Sequence, residues 1–226
     1  MRVIVGMETS GAIRQRLRDA GVEAWSVDLL PSVDDSPYHI IGNVFSILNH
    51  DDNWDWGIFH PDCTYLTNSA AWAFKDPDYD RYPEVGYHQR VKEGTLTGTA
   101  RRQARAEALE VVRRLMKLPF PYAIENPVGA ISTRIRRPDQ IIQPYQFGDD
   151  ASKKTCLWLK KLPKLVPTKF IEPRYVHGKP RWGNQTDSGQ NKLSPSKNRW
   201  AERSKTYPGI AEAIVTQWVA AMDQKM

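Results

Sequence analysis

Short apolar runs that end in polar or glycine-containing turns recur along this chain, and amphipathic stretches separate them. The runs predict buried strands at 3–7, 24–27, 56–59, 119–127 and 155–159, with a further strand-to-helix junction at 39–44. The stretches at 11–20, 100–118 and 208–222 carry apolar residues at helical spacing and predict helices. Strands that alternate with helices form a mostly parallel sheet with helices on both faces, so we predict an α/β fold.

Length and composition favour one domain with an anionic partner. A chain of 226 residues suffices for one α/β domain, and its formal net charge of +6 favours nucleic acid as the partner. No apolar run approaches the ~18 residues of a membrane span, and the first strand begins without a signal peptide. Cys63 and Cys156 form neither a disulfide framework nor a zinc pattern, and Cys156 lies in an apolar run that suggests packing. We expect a cytoplasmic monomer without a metal.

Two long segments lack helical or strand periodicity. Residues 73–98 are rich in Asp, Tyr, Pro and Gly, and a loop of this length usually serves an active site. Residues from about 168 to 207 form a basic irregular insert with interleaved tryptophans, not a second domain. We expect the insert and the 100–118 helix to contact phosphates, although a basic helix face often serves solvation alone. The residues concerned are Arg181, Arg199, Arg203, Arg101, Arg102 and Arg105.

The first three strand ends carry groups suited to a nucleoside-bearing cofactor. Ligands of a parallel sheet bind beyond the carboxyl ends of its strands. The segment Glu8-Thr9-Ser10-Gly11 follows the first strand and opens a helix, where backbone N–H groups can bind a carboxylate. Asp28 can accept hydrogen bonds from two ribose hydroxyls, and Asn43 can meet an adenine amino group. Equally, Ser10 can be only an N-cap, Gly11 only a turn residue and Asp28 only a loop cap.

The next two strand ends present a thiol and a carboxylic acid. Cys63 lies in the polar turn His60-Pro61-Asp62-Cys63-Thr64, within reach of solvent, and Glu125 follows another apolar run. A thiolate can add to carbon 6 of a pyrimidine while an acid protonates nitrogen 3, which lets carbon 5 attack a methyl donor. No basic residue lies near Glu125 in sequence, so its partly buried carboxyl can keep a proton at neutral pH. Two plainer interpretations stay open: a buried, inert Cys63, and a Glu125 paired with an arginine.

The order of these motifs resembles that of the DNA cytosine 5-methyltransferases, most closely their compact phage-type members. The likeness runs over most of the chain and includes the first loop, the acidic second strand end, Pro-x-Cys, Glu-Asn-x, Gln143-Pro144-Tyr145-Gln146-Phe147-Gly148 and a C-terminal apolar helix. It implies a Rossmann-like class I methyltransferase fold that binds S-adenosylmethionine. In that fold Cys63 is the nucleophile, Glu125 the acid, and Asn126 helps to fix the loop.

The resemblance also implies binding residues. It assigns Met7 to Gly11, Asp28, Asn43 and Pro61 to the cofactor. It assigns Thr64, Lys153 and Lys154 to the substrate, the two lysines near a basic pair that supports a flipped cytidine. The chain departs from the family pattern in the sparse glycines of its first loop, in Asp62 and Pro127, and in lacking a large target-recognition domain.

We therefore expect S-adenosylmethionine-dependent methyl transfer to carbon 5 of cytosine in DNA through a covalent Cys63 intermediate, in the host cytoplasm if the chain is phage-encoded. The base must leave the helix, at a cost of a few kcal/mol that phosphate contacts offset. Two alternatives stay open. One is modification of a pyrimidine in RNA or in a nucleotide. The other is a catalytically silent nucleic-acid-binding protein, which the altered first loop favours.

Overall fold

Seven strands form one central sheet, and helices cover its two faces. The computed structural model describes residues 1–51, 53–194, 202 and 205–224. The strands are β1 (Arg2–Gly6), β2 (Glu23–Asp28), β3 (His39–Ile41), β4 (Trp56–Phe59), β5 (Tyr122–Pro127), β6 (Gln140–Ile142), β7 (Thr155–Lys160), β8 (Arg174–Val176) and β9 (Lys179–Arg181). The helices are α1 (Ala12–Asp19), α2 (Val44–His50), α3 (Gly98–Leu115), α4 (Ala130–Arg134) and α5 (Pro208–Asp223). Among the described residues, no helix combines the length and apolar character that a bilayer crossing requires.

The strand order brings several loops to one edge of the sheet. Strands β3-β2-β1-β4-β5 lie side by side and run parallel, and β7 then pairs antiparallel with both β5 and β6. Because β7 runs the other way, its first residues lie beside the last residues of β5, where Thr155 pairs with Pro127. The sheet is compatible with a Rossmann-like fold, in which ligands bind at the edge where the strand order reverses.

Alternate residues of each strand pack on opposite faces of the sheet. In β1, Val3 and Val5 belong to the cluster that includes α1 and α5, whereas Ile4 belongs to the cluster with α2, α3 and α4. Trp218 of α5 packs edge-on against Trp56 of β4, with ring centroids 5.8 Å apart. The prediction of an α/β fold with a mostly parallel sheet and helices on both faces is therefore confirmed.

Some elements differ from the sequence-based prediction. The short elements β6 and α4 were not predicted, because three to five residues show no readable periodicity. The segment expected to be a basic irregular insert contains the short β8–β9 hairpin, which its sequence pattern did not indicate. The hairpin turn is His177-Gly178, where both residues have positive φ, as a two-residue hairpin loop requires.

The C-terminal helix α5 begins where two backbone segments nearly touch. The Gly209 amide donates a hydrogen bond to Asp149 Oδ2 at 2.9 Å, and a Cβ atom at Gly209 would overlap the carbonyl oxygen of Phe147. A glycine is required here because the Phe147 backbone cannot move without disturbing the 144–146 turn. This contact places α5 over the end of the sheet.

Replacing Gly209 with Ala should lower the free energy of unfolding by roughly 1–3 kcal/mol, the usual cost of forcing extra atoms into a packed region. The measurement is the urea unfolding midpoint. Gly42→Ala is the matched control, because a Cβ atom at Gly42 meets nothing within 4 Å. Equal midpoints for the two variants would contradict the close approach of α5 to Phe147.

Candidate active site

The loops after β4 and β5 are joined by a buried side chain. Asn126, which is 1% exposed, donates a hydrogen bond from Nδ2 to the carbonyl oxygen of Pro61 at 2.7 Å. Pro61 lies two residues before Cys63, so the end of β5 holds the turn that carries the thiol. The turn itself is closed by the amides of Leu66 and Thr67, which both donate to the carbonyl oxygen of Cys63 at 3.0 Å.

Two arginines of α3 hold the same turn from its outer side. Arg101 donates to the carbonyl oxygen of Thr64 at 3.3 Å, and Arg105 donates to that of Tyr65 at 2.8 Å. The ring of Phe74 lies under both guanidinium groups, at 4.7 Å from Arg101 and 3.3 Å from Arg105. Arg101 is only 5% exposed. Several donors of both arginines thus bind the protein's own backbone, and their expected contact with phosphates stays a prediction.

The carboxyl group of Glu125 has two basic neighbours. Its Oε2 lies 3.1 Å from His60 Nδ1, and the side chains of Glu125 and His60 are 19% and 11% exposed. Burial raises the pKa of Glu125, but the His60 hydrogen bond and the charge of Lys153 outweigh it, so the pKa lies below its usual value. This direction runs against the expectation that Glu125 keeps a proton at neutral pH. Its neighbours come from the ends of β4 and β7, which are distant in sequence.

The two thiols differ in burial and in acidity. Cys63 is half-buried, and burial together with the charges of Asp62 and Glu125 raises the pKa of its thiol, an effect that Lys153 partly offsets. Cys156 is fully buried in β7, and burial raises the pKa of its thiol to about 11. Cys63 is therefore a neutral thiol at rest that solvent can still reach. Cys156 packs in the core between β5 and β6.

A narrow crevice opens beside the His60–Glu125 pair. Its internal volume is close to that of one ordered water molecule. Lys153 and Thr155 line one side, and Tyr207 and Ile210 line another. Burial raises the pKa of the Tyr207 hydroxyl. The crevice therefore combines polar groups with an apolar wall contributed by α5.

Several groups of the first loop are already hydrogen-bonded within the protein. The carboxylate of Glu8, a buried residue, accepts hydrogen bonds from the Gly11 amide at 3.1 Å and from the Ser10 hydroxyl. The Met7 amide donates to the Val27 carbonyl oxygen, and Met7 has a positive φ of 61°. The Thr9 carbonyl oxygen accepts from Val33 at 2.8 Å. The Gly11 N–H expected to bind a cofactor carboxylate thus binds Glu8 instead.

An ion pair between a buried arginine and an exposed aspartate explains the glycine in that loop. Arg14 is fully buried and pairs with Asp34, and it also donates to Ser26 Oγ at 3.3 Å. A Cβ atom at Gly11 would overlap the guanidinium group of Arg14, and Gly11 has a φ of 69°. Gly11 therefore makes room for this ion pair and supplies a left-handed turn.

Asp28 and Asn43 follow the second and third strands as predicted, and each also has a local role. Asp28 Oδ1 accepts from the Leu30 amide at 2.9 Å, which forms a turn after β2. Asn43 is the N-cap of α2, and its Oδ1 accepts from the Phe45 amide at 2.9 Å. The side-chain carbonyl of Asn43 expected to meet adenine is therefore used by the helix.

Of the three residues near the site that were expected to bind substrate, one lines the crevice and two are exposed to solvent. Thr64 is exposed, and its amide and hydroxyl both bind Asp62 Oδ1, at 2.9 and 2.7 Å. Lys153 lines the crevice, whereas Lys154 is exposed to solvent. The amide of Lys153 donates to Gln143 Oε1 at 2.8 Å, which ties the start of β7 to the Gln143–Phe147 motif.

The basic segment is only partly available for phosphates. Arg181 donates to the carbonyl oxygens of Asp187 and Pro180 at 3.0 and 2.8 Å, so its guanidinium group serves the hairpin. Arg102 is exposed but binds Asp76 at 3.1 Å. The predictions for Arg199 and Arg203 lie outside the described residues. Two donors of Arg181 are thus used within the protein, and its expected contact with the substrate stays a prediction.

Sequence reasoning assigns no role to His60, although His60 follows β4 directly and thus reaches the ligand edge of the sheet. It assigns Arg101 and Arg105 to the surface, yet they share the buried face of α3 with Val112 and Leu115, at helical spacing. The helical spacing of these four residues was the sequence signal from which the inward orientation of Arg101 and Arg105 could have been predicted. In the part of the chain that the structure describes, no three His, Cys, Asp or Glu side chains cluster as metal ligands would.

The two thiols should react differently with iodoacetamide in the native protein. We expect Cys63 to be alkylated slowly and Cys156 to stay unmodified, with both alkylated in urea as the control. Because the pKa of Cys63 is raised, its thiolate fraction should grow about tenfold between pH 7 and pH 8. Peptide mass mapping measures both rates. Alkylation of native Cys156 as fast as Cys63 would contradict the burial described above.

In comparisons with known proteins, no protein-family model and no curated protein matches the chain. Fold likeness alone does not assign function, so the function must be inferred from the groups at this edge of the sheet. Those groups are the Cys63 thiol, the Glu125 carboxylate with His60 and Lys153, and the Asn126 amide.

Proposed function

We propose that this protein transfers a methyl group from S-adenosylmethionine to carbon 5 of cytosine in DNA, on a class I methyltransferase scaffold. One observation carries the proposal: a thiol and a carboxylate lie at neighbouring strand ends that the Asn126–Pro61 hydrogen bond joins. Each group lies close enough to affect the other, since the charge of Glu125 raises the pKa of Cys63. Nucleophilic addition to a pyrimidine requires such a pair within reach of one ring.

The proton content of the site suits this chemistry. At rest, Cys63 is a neutral thiol and Glu125 an ionised carboxylate, so the pair holds one proton. Addition of the sulfur to carbon 6 needs a thiolate and a proton for nitrogen 3, which again amounts to one proton. The reactive state therefore differs from the resting state in where the proton lies, not in how many protons the pair holds. The basic side chain of Lys153 lowers the cost of the thiolate.

Roles follow for the residues around the pair. Cys63 Sγ forms the bond to carbon 6, and Glu125 delivers the proton to nitrogen 3 and later takes it back. Asn126 holds the Cys63 turn against β5, while Arg101 and Arg105 hold its outer side. The base must be extruded from the duplex to reach this edge.

The residues near β1 and β2 fit S-adenosylmethionine in a particular orientation. Asp28 retains a second carboxylate oxygen for ribose hydroxyls, and the exposed side chains of Leu29 and Leu30 offer an apolar surface for adenine. The buried Glu8 carboxylate complements the ammonium group of the amino-acid part and not its carboxylate. When bound, the cofactor supplies an electrophilic methyl group.

A second function is a silent nucleic-acid-binding protein on the same scaffold, and one observation favours it. Glu8 occupies the Gly11 amide, and the Arg14–Asp34 pair closes over Gly11. An amide that already binds a carboxylate of its own loop has less need of a ligand. Calorimetry with S-adenosylmethionine separates the two functions, because the silent protein gives no binding heat. A pyrimidine in RNA or in a free nucleotide remains an alternative substrate for the same chemistry.

Cys63→Ala should abolish methyl transfer, and Glu125→Gln should lower its rate by about 100- to 10,000-fold, because an amide cannot supply a proton. The measurement is mass analysis of nucleosides after incubation of each variant with labelled S-adenosylmethionine and DNA. Glu110→Gln on the exposed face of α3 is the matched control and should keep the parent rate. Full activity of Cys63→Ala, or a loss below about threefold for Glu125→Gln, would contradict these roles.

DNA affinity should fall steeply with salt, with a log–log slope near about −0.9 per phosphate neutralised. The triple variant Lys169→Ser, Lys179→Ser and Lys192→Ser removes exposed cations of the basic segment and should flatten that slope. Lys117→Ser, at the opposite edge of the sheet, is the control. An unchanged slope for the triple variant would remove this segment from the interface.

A further inference from the structure

His60 is the first residue after β4, and the sheet holds it in place. Its amide donates to the Gly6 carbonyl oxygen at 3.0 Å, which anchors its backbone across the β1–β4 boundary. Its ring Nδ1 lies 3.1 Å from Glu125 Oε2. Its other ring nitrogen, Nε2, is buried and has no hydrogen-bond partner among the described residues. A buried, unpaired ring nitrogen is costly and calls for an explanation.

The crevice offers an explanation for the unpaired Nε2 atom of His60. His60, Glu125, Lys153 and Thr155 all line it, and it has room for about one water molecule. A water there would find polar partners on the walls, which an ordered water requires. Nδ1 thus faces the carboxylate, and the same ring lies at the wall of the crevice.

We propose that His60 is a positioning residue that orients Glu125 and passes a proton between the crevice and its carboxylate. This inference rests on the proposed function, because it assigns the path by which the acid is loaded. His60 does not touch the base. It acts only through Glu125.

The transfer balances in atoms and charge. A proton from bulk solvent passes through a crevice water to His60 Nε2, and the Nδ1 proton moves to Glu125 Oε2, which leaves both the imidazole and the water neutral. Glu125 then protonates nitrogen 3 of the base as Cys63 Sγ bonds to carbon 6. The proton that Cys63 gives up goes to bulk solvent, so the solvent loses one proton and gains one. After methyl transfer, the carbon 5 proton passes to solvent as the bond between carbon 6 and Sγ breaks. Nitrogen 3 returns its proton through Glu125 and His60 to the crevice, and the released thiolate takes up one proton from solvent.

Charged and titratable groups face the pair from each packed element. Glu125 comes from β5 and Lys153 from the residues before β7. Tyr207 comes from the residue before α5, and Asp62 and Cys63 follow His60 in its own loop. Lys153 favours the ionised form of Glu125, so the acid must be reloaded in every turnover. A relay through His60 returns a proton to Glu125 without bulk solvent having to reach the buried carboxyl group.

Two His60 variants test whether positioning of Glu125 alone accounts for the role of His60. His60→Asn places an amide nitrogen near the Nδ1 position and keeps a donor to Glu125, whereas His60→Gln displaces the donor. We expect kcat to fall at least about 100-fold in both, with KM for DNA changed less than about threefold, because neither amide can pass a proton. The alkaline limb of the kcat profile should move in both variants. A parent-like rate and pH profile for His60→Asn would overturn the relay.

A measurement on the unmodified protein keeps the inference testable if the variants fail to fold or if the parent protein has no methyltransferase activity. Nitrogen-15 NMR of the ring reports which nitrogen carries the proton. We expect His60 of the parent to be protonated at Nδ1, with Nε2 as the acceptor, and to lose this preference in Glu125→Gln. A proton on Nε2 in the parent would overturn the inference. An inactive parent with the expected tautomer would reject the proposed methyl transfer and the relay that serves it, whereas the positioning of Glu125 by His60 would stand.

Discussion

The hydrogen bond from Asn126 to the Pro61 carbonyl is the contact on which the site depends. Parallel strands β4 and β5 bring their ends together, but strand pairing alone stops at Phe59 and Ile124. Asn126 extends the connection into the loops, in a buried position where an unpaired amide would be costly. The Cys63 turn thus has a fixed inner side, and the α3 arginines fix its outer side. A nucleophile held from two sides needs little reorganisation on binding substrate.

Electrostatics at this end of the sheet shift the pKa values of Cys63 and Glu125 in opposite directions. Burial favours a neutral Cys63, and the neighbours of Glu125 favour its carboxylate. A neutral thiol beside a carboxylate is the opposite of the thiolate and protonated acid that the addition step needs. His60 and Lys153 both act on Glu125, one by a hydrogen bond and one by charge, so the carboxyl group is the point at which substrate binding can change the proton distribution.

The sequence pattern predicted the sheet and the strand ends, because apolar periodicity follows directly from burial on two helix-covered faces. It also brought Cys63 and Glu125 to one edge, since every parallel strand ends there. It could not predict the partners of Glu125, because His60 comes from the end of β4 and Lys153 precedes the antiparallel β7. It assigned Arg105 to the surface because arginine is usually exposed, whereas the Tyr65 carbonyl and the Phe74 ring hold it inward.

The central claim is that Cys63 bonds to carbon 6 of a cytosine. Incubation with S-adenosylmethionine and DNA that contains 5-fluorocytosine tests it most directly, because fluorine at carbon 5 blocks the elimination that would release the protein. Denaturing mass spectrometry should find one DNA strand bound per protein, with the linkage mapped to the peptide that contains Cys63. A protein that methylates ordinary cytosine but gives no adduct, or an adduct at Cys156, would contradict the account.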